Sequence, residues 1–258
     1  GAAYRFDTGG RLLGVVTNPL PVDYDRFGRA VAFLPDGRFA VGARHAQGDT
    51  NFPGVAYIYG PTGDLQRTLT PIDPVPFTEF GTALAAVGTN CLLVGAPGSW
   101  GGYDRGKVYV YDDAGDLSCV ITNPYPRPDD YDVYSFGSAL APVDEQRFFV
   151  GSPRSDPWGH GQVYLYSAQG QLLLTITNPA PTYLVQEFGC AIALWGTNRV
   201  AIAARQATVG APYTGVVYLY DLEGALLQTI TNPAPLANDY FGSSLAALGD
   251  QHLVVGLP

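Results

Sequence analysis

A Phe-Gly pair recurs five times along the chain, at Phe27-Gly28, Phe80-Gly81, Phe136-Gly137, Phe188-Gly189 and Phe241-Gly242, in steps of 52 to 56 residues. A fixed period of this size means stacked copies of one supersecondary unit, none of which can bury its apolar face alone. The repeat sets the architecture before any single residue is read for chemistry. It also sorts the residues. Those that recur hold the fold, and those that break the pattern are where function is to be sought.

Each copy reads as four short strands. In the third, residues 136–143 (FGSALAPV) are short, apolar and small. A tight turn at Asp144-Glu145-Gln146 leads to 147–153 (RFFVGSP), and a polar stretch then runs to Gly161. An alternating VYLY segment (163–166), a turn at 167–170 and QLLLTIT (171–177) complete the unit before Asn178-Pro179 ends it. Segments of four to eight β-branched or aromatic residues bounded by Gly, Pro, Asn or Asp are strands, and no stretch keeps helical spacing.

Four antiparallel strands per repeat is a propeller blade. The spacing predicts one all-β domain over 1–258, a five-bladed β-propeller of four-stranded antiparallel blades. The blades run approximately over 27–70, 80–122, 136–177 and 188–231, and the fifth is split between the chain ends. Residues 241–258 read as strands one and two of that blade, and residues 2–17 as strands three and four. Pairing them closes the ring and removes two sheet edges that would otherwise invite aggregation. The small residues after each Phe-Gly are expected where inner strands converge on the axis.

The order Phe-Gly, then Val94-Gly95-Ala96-Pro97, then Gly106-x-Val108-Tyr109-x-Tyr111 resembles the FG-GAP repeat, and the resemblance covers essentially the whole chain. It implies the propeller found in integrin α-subunits and in bacterial surface and lectin-like proteins, and with it an extracellular or cell-surface setting. The calcium loops of that family do not carry over. The turns between strands one and two (Pro35-Asp36-Gly37, Gly88-Thr89-Asn90 and their equivalents) lack several oxygen ligands at short spacing. No metal or other cofactor is expected.

Composition narrows the function. Charged residues are 14% and the net charge is −9, which excludes the basic stripe a nucleic-acid groove needs and disfavours an anionic membrane surface. No apolar run approaches the ~20 residues of a membrane-spanning helix. The three cysteines, Cys91, Cys119 and Cys190, fit no metal spacing and read as small core residues. The chain starts at Gly1 and reads as a processed piece, part of a larger surface protein or assembly.

Two connections in each blade are tight, and two are long and lie on the opposite face: strands two to three, and blade to blade. Long loops on a rigid scaffold carry binding. The two-to-three loops hold Arg44 and His45; Trp100, Tyr103 and Arg105; Arg154, Trp158 and His160; and Arg205 and Tyr213. Aromatic faces beside Arg, Asp and Asn suit sugar rings or a protein hot spot. The expected function is a non-catalytic binding or scaffold module that presents this face to a glycan or protein.

One alternative is a glycoside hydrolase with carboxylates at the channel mouth, for which Glu79 and Glu187 are the candidates. Another is a purely structural repeat. Asp25 and Asp239, each two residues before a Phe, read as loop caps. His45, His160 and His252 fall in separate blades, and no nucleophile constellation stands out. The acidic run Asp129 to Asp132 reads as a solvated loop rather than a cation grip.

Overall fold

The computed structural model describes residues 1–45, 53–74, 77–89, 91–98, 106–125, 135–155 and 159–258. It divides into two compact units, Gly1–Asn123 and Pro124–Pro258. All regular structure among the described residues is β, in antiparallel sheets whose strand order follows the sequence.

The first unit holds a two-stranded sheet, β1 (Ala2–Phe6) and β2 (Leu12–Thr17), and two four-stranded sheets. One comprises β3 (Phe27–Phe33), β4 (Phe39–Ala43), β5 (Val55–Tyr59) and β6 (Leu65–Leu69). The other comprises β7 (Ala83–Val87), β8 (Cys91–Ala96), β9 (Lys107–Tyr111) and β10 (Leu117–Thr122).

The second unit holds two four-stranded sheets and a two-stranded pair. The first is β11 (Ala139–Pro142), β12 (Arg147–Ser152), β13 (Gln162–Ser167) and β14 (Leu172–Thr177). The next is β15 (Phe188–Trp195), β16 (Arg199–Ala204), β17 (Val216–Asp221) and β18 (Leu226–Thr231). The pair is β19 (Ser244–Leu248) and β20 (His252–Gly256). The last three strands expected over 136–177 form within one residue of the sequence reading, and the first begins three residues later, at Ala139.

Cores lie between facing sheets, and strand alternation builds them. Every residue of β5 is buried because successive side chains serve two neighbours. Ala56 and Ile58 pack toward Leu92, Val94 and Tyr109 of the next sheet, while Val55, Tyr57 and Tyr59 pack with Val16 and Ala3 of the β1–β2 pair. In the second unit Val216, Tyr218 and Tyr220 face Phe149 and Leu165, whereas Val217 and Leu219 face Phe241 and Val255. The fourth strands β6 and β18 are mostly exposed, whereas β10 and β14 are partly buried.

The recurring Phe seats on the paired tyrosines of strand three in its own repeat. Phe27 lies 5.9 Å from Tyr57, Phe80 5.0 Å from Tyr109, Phe136 5.7 Å from Tyr164 and Phe188 5.9 Å from Tyr218. The glycine after it is required by its backbone conformation. Its φ lies between 86° and 92° in all five copies, and a side chain there is strained. The glycine of Val-Gly-Ala serves the contact instead. A Cβ at Gly42 would sit 2.0 Å from the Gly81 carbonyl, and one at Gly151 2.2 Å from that of Gly189. Two backbones from successive repeats therefore touch.

The chain-terminal pairs carry the marks of half-repeats. The turn before each fourth strand is the same five times, with Gly10, Gly63, Gly115, Gly170 and Gly224 donating to the carbonyl three residues back. The register shift beside that turn recurs too, including Arg5/Phe6 in β1. So β1–β2 is built as strands three and four. Gly242 N–H donates to the Gly256 carbonyl as Gly81 does to Gly95 and Gly137 to Gly151, so β19–β20 is built as strands one and two.

Candidate functional site

In an antiparallel sheet of four sequential strands, the connections two-to-three and four-to-next leave from the same end. That end is organised by the residues just before each Phe. The one immediately preceding is left-handed in every copy: Arg26 (φ 54°), Glu79 (53°), Ser135 (52°), Glu187 (54°) and Tyr240 (50°). Non-glycine residues rarely hold this conformation, and five aligned cases are a property of the repeat.

Tertiary hydrogen bonds over-determine it. Phe80, Phe188 and Phe241 donate N–H to the carbonyls of Pro53, His160 and Thr214, each followed by a positive-φ glycine that immediately precedes the next strand. One residue earlier, the carbonyls of Asp25, Thr78 and Gln186 accept from His45, Gly98 and Gln206 at the ends of their own second strands.

The position two before Phe is a loop cap, as the sequence suggested for Asp25 and Asp239. The Asn18 amide donates to Asp25 at 2.7 Å, and Phe27 N–H donates to the other oxygen at 2.9 Å. Burial would raise the Asp25 carboxyl, but these hydrogen bonds outweigh it and hold the group below its ordinary range. Asn232 donates to Asp239 at 2.7 Å, and Asn178 donates to Gln186 at 2.8 Å. Asn18, Asn178 and Asn232 are therefore the anchors of the links that follow them.

Glu187 assembles the site of the second unit. Its side chain is only 3% exposed, between Arg154 after β12 and Arg205 after β16. Arg154 donates from Nε and Nη2 to Oε1 at 2.9 and 2.6 Å, and Arg205 donates from Nε to Oε2 at 2.6 Å. Charge-assisted bonds of this length are strong and fix both guanidinium planes. Tyr213 and Tyr240, both half-buried, stack at 6.2 Å with 18° between planes. Below them the Cys190 thiol is pushed up to about 11 by burial, which makes it inert at neutral pH.

The first unit uses the same position differently. Glu79 lies 3.3 Å from Arg44 Nη1 and 3.4 Å from His45 Nε2. Burial pulls the Arg44 guanidinium below its ordinary value, Glu79 opposes this, and Arg26 and Arg29 add to it.

Of the ten residues selected from sequence, six lie among the described residues. Glu187 brings Arg154 and Arg205 together, and Glu79 brings Arg44 and His45 together. Tyr213 joins Tyr240, while His160 meets the Thr182 carbonyl through its ring. Trp100, Tyr103, Arg105 and Trp158 lie outside the described residues, as does the acidic run from Asp129 to Asp132. Sequence reasoning missed Glu187 and Glu79 as organisers, and Arg26 and Arg29 as neighbours of Arg44. The available signal was that both glutamates share one place in the repeat.

Among the described residues no three His, Cys, Asp or Glu side chains converge as a metal would need. Neither a scan against protein-family models nor a search of curated proteins finds a match to this chain.

Proposed function

We propose that the chain is a non-catalytic saccharide-binding module, a five-bladed propeller of FG-GAP type that works at a cell surface or outside the cell. The observation that carries this reading is the make-up of the long-connection end in the second unit. Partly exposed guanidiniums of fixed orientation stand beside a stacked tyrosine pair, on backbone held rigid by the repeat. Stacking faces plus directed donors are what a sugar ring requires. The two carboxylates a hydrolase would use are already engaged. Glu187 is sealed between two arginines, and Glu79 is flanked by an arginine and a histidine.

The two-stranded pairs at the chain ends support the propeller part of the proposal. The β1–β2 pair has the turn and register shift of strands three and four, and β19–β20 the glycine bond of strands one and two. Joining them gives the fifth four-stranded sheet.

The test is a glycan array spanning neutral, amino and acidic saccharides, with Tyr240→Ala alongside the wild type. Binding that weakens about tenfold in the variant supports the reading. An array with no hit, together with capture of a defined protein partner by the same face, would replace the saccharide with a protein ligand.

A further inference from the structure

We propose that Arg154 and Arg205, bridged by Glu187, seat an oxyanion: the carboxylate or sulfate group of an acidic saccharide. The inference rests on the saccharide-binding reading above and supplies its charge class.

The first support is a count of donors and charges. A guanidinium has five N–H groups. Arg154 spends Nε and Nη2 on Glu187, and Arg205 spends only Nε. Arg154 Nη1 and both terminal nitrogens of Arg205 make no hydrogen bond among the described residues. One carboxylate balances one guanidinium, so a positive charge is left over. It sits at side chains 34% and 42% exposed, in a chain whose net charge is −9.

The second support is that the fold does not require this pair. The same backbone position carries Glu79 with one arginine and a histidine in the first unit. In other copies it carries Arg26, Ser135 or Tyr240, which need no bridging carboxylate. A second arginine on Glu187 therefore answers to something other than the repeat. Glu187 acts as a clamp. It holds two planar forks in place, and an arriving carboxylate or sulfate can take paired N–H donors without the entropy of ordering them.

The third support is the neighbour. Tyr240 lies within electrostatic reach of the Arg205 guanidinium, and its ring stacks on Tyr213. An aromatic face next to an oxyanion seat matches a sugar ring bearing an acidic substituent.

The experiment titrates glucuronate, N-acetylglucosamine 6-sulfate and glucose against the wild-type chain and follows the arginine Nε–Hε NMR signals. The expected result is that both anions shift the Arg154 and Arg205 signals, that added sodium sulfate competes, and that glucose leaves them in place. A larger response to glucuronate than to the sulfated sugar assigns the carboxylate as the natural group, and the reverse assigns the sulfate.

Arg205→Ala leaves a one-to-one Arg154–Glu187 pair and should weaken anion binding about tenfold, with Arg205→Lys intermediate. No shift at either arginine with any anion, or equal shifts with glucose, overturns the inference. The glycan array then decides the wider reading separately. Neutral glycans bound without these arginines keep the module and remove the oxyanion seat. A silent array with anion-shifted arginines does the opposite.

Discussion

Replacing Gly161 with alanine should unsettle the second unit far more than the same change at Gly210. Both residues are left-handed, with φ of 87° and 79°, so each variant loses about 1 kcal/mol to backbone strain. The difference lies in what the new methyl group meets. At Gly210 it meets only Pro235 Cγ, at 4.0 Å. At Gly161 it would lie 2.0 Å from the Phe188 carbonyl oxygen and 2.8 Å from its carbon and nitrogen. Relief requires the Phe188 backbone to retreat by about 1 Å, since real contacts stay beyond 3.0 Å.

That retreat breaks the buried Phe188 N–H bond to the His160 carbonyl, at about 1–3 kcal/mol. It also lifts the Phe188 ring from Tyr218 and Tyr220, contacts worth about 0.5–1.5 kcal/mol each. The expected loss is about 3–7 kcal/mol for Gly161→Ala against about 1 kcal/mol for Gly210→Ala. For a chain of this size 1 kcal/mol moves Tm by about 2–4 °C. Thermal unfolding followed by circular dichroism should therefore show a drop of roughly 10 °C or more against roughly 3 °C. Equal drops in the two variants would refute the claim that close backbone approach, rather than φ alone, demands glycine here.

Further outcomes follow from the same contacts. Phe136→Ala empties a fully buried seat against Tyr164 and Tyr166 and should cost about 3–5 kcal/mol in urea unfolding. Asn232→Ala removes the anchor of the Asp239 link and should cost about 1–3 kcal/mol, with Asn232→Asp no better, because it sets two carboxylates together. Burial pushes Tyr59, Tyr111 and Tyr166 up to about 12. The unfolded chain releases these protons first, near 10, so their contribution is intact below pH 10 and is lost as pH rises from 10 toward 12. The fall is about 1.4 kcal/mol per pH unit for each tyrosine, and alkaline unfolding monitored by tyrosinate absorbance should be steep in that window. Deleting residues 1–17 strips β1 and β2 and exposes Phe27 and Tyr57. An unshifted, cooperative melt of that deletion would sink the proposed fifth blade.

Strands were legible because alternation is a one-dimensional signal. Val216 to Tyr220 reads as a strand in isolation, and the structure adds only which neighbour each face meets. Repeat positions were legible for the same reason, and Asp25 and Asp239 could be read as caps from their shared offset. The Glu187 site was half legible. Arg154 and Arg205 stood out as basic residues on long connections, but they are 51 residues apart and meet only because successive repeats place their second-strand ends on either side of one link. Left-handed backbone at Glu187 has no side-chain signature, since glutamate ordinarily avoids it. The glycine contacts were visible as motif letters, but their reason, a carbonyl oxygen that would lie about 2 Å from any Cβ at Gly42 or Gly151, is a three-dimensional one.

The left-handed residue before each Phe has a consequence for how such a protein can change. Its backbone is bolted down by bonds that belong to Phe, Gly and the preceding loop, none of which involve its own side chain. Arginine, glutamate, serine, glutamate and tyrosine already occupy the five sockets with φ values within 4° of one another. Selection can therefore exchange the fitting without disturbing the mount. New recognition chemistry is open to the lineage by single substitutions at 26, 135 or 240, at little expense in foldedness, whereas at 79 and 187 the carboxylate is tied to its arginine partners.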